Sequence, residues 1–67
     1  MILLCDLLRL LDIDALVQIY TNVGIHSDVM SIESLVLKAP AALKWKVTQL
    51  QYEEPEGEPG RFVIVAH

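Results

Sequence analysis

The segment RFVIVAH, residues 61–67, has apolar side chains on both sides of an extended chain. Strand side chains alternate between two faces, so Phe62, Ile64 and Ala66 share one face and Val63 and Val65 the other. A strand apolar on both faces belongs at the centre of a sheet or in an interface, not at a wet edge. Before it come KWKVTQLQYEE and the stretch EEPEGEPG, which holds four glutamates, two prolines and two glycines. Pro and Gly end strands and favour turns, so the two segments read as a hairpin with an acidic loop at 53–60. That loop is longer than a tight turn requires. Its charge keeps an apolar hairpin in solution, or steers it toward a basic protein surface. In the first strand of the hairpin, alternation puts Trp45 and Val47 on one face and Leu50 and Tyr52 on the other. Either a bulge near Thr48–Gln49 brings all four to one side, or both faces are partly covered.

The start of the chain has a different period. Leucines at 4, 7, 8 and 11 form the i, i+3, i+4, i+7 face of a helix over 2–11, with Leu3 and Leu10 on its flanks. Asp6 and Arg9 form a polar stripe and an i,i+3 pair. After Asp12 and Asp14 the pattern alternates, which predicts a strand at 15–21 with Val17 and Ile19 toward the helix and Tyr20 on the far face. TNVGIHSD is a turn region, followed by a second strand at about 25–31. SIESLV opens a short helix, with Ser31 as N-cap and Glu33 in the first turn, and Pro40 ends it. The expectation is a single α+β domain, residues 1–67. An N-terminal helix packs on an antiparallel sheet of about four strands, with a short helix between strands two and three.

Sixty-seven residues give a thin core that usually needs reinforcement. Cys5 is the one cysteine, so no internal disulfide forms, and with His26 and His67 it cannot supply a structural zinc set. The chain is 54% hydrophobic. These facts predict a homodimer or higher homo-oligomer that buries Val63 and Val65, the outer flank of the first helix (Leu3 and Leu10), or both. MILLCDLLRLLD is too short to span a bilayer and lacks a basic leader region. No membrane association is expected, and the reading is a cytoplasmic protein with a reduced Cys5. The net charge of -4 counts against general nucleic-acid binding, although Lys38, Lys44 and Lys46 lie close together.

No catalytic constellation is evident, and no cofactor is expected. His26, Ser27 and Asp28 are adjacent in a turn and cannot adopt triad geometry. Asp12 and Asp14 are a polar helix-to-strand turn, and Cys5 reads as a buried, inert thiol. The expectation is a protein without enzymatic activity. KWK is the strongest binding feature. One reading is a core tryptophan between two solvated lysines. The other is an anion site in which Lys44, Lys46 and Arg61 supply charge while Tyr20, Trp45 and Tyr52 supply stacking surface.

The order LLxLLDxDxxVxIY (residues 7–20), then a hairpin, SIESLV, a strand, a turn and FVIV resembles small bacteriophage and prophage proteins of the helix-plus-antiparallel-sheet type. Such proteins have a short Asp-Gly hairpin where this chain has TNVGIHSD. Some of them are anti-defence proteins. The resemblance implies a stoichiometric binding protein in the host bacterial cytoplasm, which sequesters a cyclic or other signalling nucleotide or blocks a host defence protein. Two alternatives from other classes stand beside it: a small oligomeric single-stranded nucleic-acid-binding protein acting through the KWK face, and a virion structural or assembly protein.

Overall fold

A computed structural model describes residues 2–67. The elements are helix α1 (Leu4–Leu8), strands β1 (Leu16–Thr21), β2 (Gly24–Ile25) and β3 (Met30–Ser31), helix α2 (Ile32–Lys38), a 3-10 helix (Pro40–Lys44), and strands β4 (Val47–Glu53) and β5 (Arg61–Ala66). The α+β class is as the sequence indicates. The sheet, however, has five strands rather than about four, and it is mixed rather than antiparallel. Its path is β2-β1-β5-β4, with β3 also on β1. At its centre β1 and β5 run parallel, Val17 beside Phe62 and Tyr20 beside Val65. The apolar character of β5 accounts for this. The hairpin must dock by β5, the strand with two faces to bury, which leaves the more polar β4 outside. Because the helices return the chain to the end of the sheet where β1 finishes, β4 descends and β5 ascends, parallel to β1.

One face of the sheet holds the core. Val17, Ile19, Ile64 and Ala66 are fully buried there, against Leu4, Leu7 and Leu8 of α1, Ile32 and Leu35 of α2, and Ala42. The opposite face has no helix over it among the described residues, and Leu16, Gln18, Tyr20, Val63 and Val65 are half-buried there. Of the two alternatives for β4 the bulge is present: Val47 pairs with Ala66 but Gln49 with Val65, and Thr48 is the extra residue. The Thr48 hydroxyl donates to the Val65 carbonyl at 3.2 Å. The shift turns Val47, Leu50 and Tyr52 to the core face, opposite Ala66, Ile64 and Phe62.

Three further boundaries differ from the sequence reading. The second strand is broken into β2 and β3, because Ser27 replaces part of the ladder. Its hydroxyl accepts the Ile19 N–H at 3.1 Å, and the His26 and Ser27 amides both donate to the Ile19 carbonyl. The first helix is shorter than 2–11. Ile2 and Leu3 extend along the start of β4: Val47 donates to the Ile2 carbonyl, and Leu4 to that of Trp45. Trp45 itself precedes β4 and terminates the 3-10 helix. Ser31 caps α2 as expected, accepting the Ser34 N–H at 3.2 Å.

Ile64 lies at the middle of this arrangement with no solvent exposure. Ile64→Ala should lower unfolding free energy by about 2–5 kcal/mol, measured by urea denaturation. A loss of under about 1 kcal/mol would place the centre of the core elsewhere.

Candidate functional site

The six side chains of the expected anion site do not converge. Lys46 and His67 exchange backbone hydrogen bonds at one end of the β4–β5 ladder. Arg61 stands at the other end, opposite Glu53, about 20 Å away at the usual strand rise. Arg61 is also neutralised. Its guanidinium meets Glu53 at 3.3 Å and Glu58 at 3.8 Å, with 21% of the side chain exposed. Two of the four glutamates, Glu53 at the end of β4 and Glu58 in the loop, therefore engage the first residue of β5, a role the sequence reading did not assign. Tyr20 is on the helix-free face, whereas Tyr52 is on the core side, edge-on to Phe62 at 5.0 Å. A Cβ on Gly60 would overlap the Tyr52 hydroxyl, so this glycine permits the close approach. Trp45 packs against the core and meets the His26 ring at 4.5 Å. Lys44 and Lys46 are exposed on either side of it.

The structure instead assembles a site on the outer surface of the helical layer. A cavity of about 310 Å³ opens between α1, α2, the 3-10 helix and the turn into β1. Cys5, Leu8 and Arg9 line one side, Ile32 and Val36 the other, and Leu11, Ile13 and Leu43 complete it. Leu8 and Ile32 are its buried floor, and Ile13 and Val36 are exposed at the rim. Leu37, next along α2, is 77% exposed. Cys5 is half-buried at this cavity rather than buried in the helix interface, and its Sγ lies 3.9 Å from the Asp6 carboxylate. Arg9 makes only a 4.0 Å contact with Asp6, and its side chain is 80% exposed. It is an exposed cation at the edge of an apolar surface, which is the chemistry of a site for an apolar group with a single polar or anionic handle. The helix pattern did not mark this cavity, since Leu3 and Leu10, which widen the apolar girth of α1, are not among its lining residues.

The charges are segregated along the strands. Asp12 and Asp14 lie in the turn before β1, and the Glu33 amide donates to Ile13 at the same end. Glu53, Glu54, Glu56 and Glu58 extend from the β4–β5 end that also holds Arg61. Seven of the nine carboxylates thus gather at one end of the molecule, with Arg61 the cation among them. Lys44 and Lys46 are at the other. No group of three metal-ligating side chains occurs among the described residues, and no helix among them is long and apolar enough to cross a membrane. No family model, curated protein or solved structure matches the chain.

An anionic apolar dye such as anilinonaphthalene sulfonate should bind the native protein at this cavity, with its ring on Val36 and its sulfonate near Arg9. Val36→Asp should cut the native-state fluorescence several-fold while leaving the circular dichroism spectrum intact. An unchanged signal would mean that the dye, and the accessible apolar surface, lie elsewhere.

Proposed function

We propose that this chain is a small non-enzymatic binding protein of the phage anti-defence type, which acts stoichiometrically by occupying a host defence protein. The observation that carries this reading is the apolar cavity between α1 and α2, with Ile13 and Val36 at its rim and Leu37 beside it. Exposed large apolar side chains beside a preformed cavity favour an interaction site over an ordinary solvated surface. A helix or loop of a partner that inserts one apolar anchor there would gain about 1.5–3 kcal/mol for that side chain alone, and Arg9 would take a carboxylate beside it. Between the two modes implied by the phage resemblance, blocking a protein fits better than sequestering a nucleotide. A nucleotide phosphate needs convergent cations, and on one chain Lys46 and Arg61 are far apart, with Arg61 held by two carboxylates.

The test is affinity capture from a bacterial lysate with the wild-type chain and with Ile13→Asp, read by mass spectrometry and by protection of Cys5 from alkylation. A protein retained by the wild type, lost with Ile13→Asp, and able to slow Cys5 alkylation when added in pure form supports the reading. Cys5 that stays equally reactive in the presence of every captured protein counts against it. Tight binding of a cyclic dinucleotide, abolished by Lys46→Ala, would replace it with the sequestering mode.

A further inference from the structure

The helix-free face of the sheet is a second unpartnered surface, and it differs from the helical cavity in kind. Its middle is apolar and uncharged: Leu16 and Tyr20 on β1, Val63 and Val65 on β5, with Gln18, Gln49 and Gln51 among them. Its charges stand only at the two ends. At one end alternation puts Lys46 on this face, paired with His67. At the other are Glu53 and Arg61. Arg61 faces two carboxylates, Glu53 and Glu58, so that cluster keeps one uncompensated negative charge.

The geometry points to a second copy of this chain as the occupant of this face, related by a two-fold axis lying between the sheets and perpendicular to the strands. Such an axis sets the partner's strands antiparallel and lays each strand over its own counterpart. On β4 the ends exchange: Lys46 of each copy comes over Glu53 of the other, supplying the cation that the Arg61 cluster lacks. On β5 Val65 meets Val63 of the other copy, and on β1 Tyr20 meets Gln18, because Ile19, Ile64 and Leu50 lie level with the axis. The same patch serves both subunits, as a closed two-fold dimer requires. The uncharged middle with charges at the rim is the usual layout of a specific interface. The other face-to-face two-fold, along the strands, would lay β4 over the opposite edge of the partner sheet and set one acidic end on the other, and like charges oppose it. The size is adequate. A standard interface takes about 800 Å² from each partner, under one fifth of the 4418 Å² surface, roughly the share of one side of a 32 × 23 × 20 Å body. The dimer also supplies the reinforcement that a thin core without a disulfide needs. It leaves the helical cavity free, on the outside of both subunits, and it stands or falls independently of what that cavity binds.

The test uses the full-length chain in sedimentation velocity and light scattering from micromolar to submillimolar concentration. The wild type should be a dimer that loosens with salt. Lys46→Glu or Glu53→Lys should each raise the dissociation constant about tenfold or more, because the contact occurs twice per dimer, and the two together should restore most of the affinity. Val63→Asp should give a folded monomer. If Glu53→Lys disturbs folding through Arg61, as circular dichroism would reveal, crosslinking decides. Gln49 lies beside the axis, so Gln49→Cys in a Cys5→Ser background should crosslink to its counterpart through a short bis-maleimide, across sheets about 10 Å apart. A monomeric wild type would overturn the proposal. So would a dimer indifferent to both Lys46→Glu and Val63→Asp, or a Gln49→Cys chain that does not crosslink.

Discussion

The parallel contact between β1 and β5 is the constraint on which the architecture depends. A strand carrying Ile64 and Ala66 on one face and Val63 and Val65 on the other cannot be left at an edge without exposing a row of apolar side chains and an unpaired backbone. Placing it between β1 and β4 satisfies its backbone on both sides. It also lets α1, α2 and the 3-10 helix close over Ile64 and Ala66. β4 then becomes the edge, which suits its composition: Gln49, Gln51 and Glu53 face out, and Ile2 and Leu3 cover its beginning. The bulge at Thr48 belongs to the same solution. Without it Val47 and the pair Leu50 and Tyr52 would point to opposite faces, and one set would lose its place opposite Ala66, or Ile64 and Phe62.

The charge distribution follows from this topology. The turn before β1 and the β4–β5 loop lie at the same end of the sheet because β5 is parallel to β1. Both are acidic, so their charges add. The lysines that flank Trp45 fall at the opposite end, where the helical return meets β4. An antiparallel arrangement of β1 and β5 would have brought Lys46 toward Asp12 and Asp14 and largely cancelled the polarity. Net charge alone says nothing of this. At -4 the chain is mildly acidic, yet it is a pronounced dipole along its strands.

Much of the fold was legible where the signal was local. Alternation in 15–21 placed Val17 and Ile19 in the core and Tyr20 outside it. Ser31 and Glu33 marked the start of α2, and the mismatched pattern of β4 left a bulge as one of two solutions. What alternation could not supply was pairing. The hairpin 47–66 is visible in the sequence, but which of its strands meets β1, and in which direction, depends on burial over the whole molecule. The interruption between β2 and β3 was hidden because a single hydroxyl, that of Ser27, competes with the ladder. The expected ligand residues dispersed for a related reason. Proximity in sequence kept Lys44, Trp45 and Lys46 together, whereas Arg61 was expected beside them because a hairpin brings its strands together. In a hairpin only opposite positions meet, and the position opposite Arg61 is Glu53, at the far end from Lys46. The helical cavity was not legible in the sequence. Its walls come from α2, the 3-10 helix and the turn at Ile13, which no linear pattern joins.

The pairing of Val17 with Phe62 also determines when the chain can fold. The two residues are about two thirds of the sequence apart, and closing so long a loop costs entropy before any contact repays it. Until β5 has been synthesised, Val17 and Ile19 have no central strand beside them, and α1 has only half a sheet to cover. The early part of the chain, apolar helix included, must therefore wait with its leucines exposed. The long-range pairing of β1 with β5 therefore ties the packing of α1 to that of β5, and the two halves of the core depend on each other.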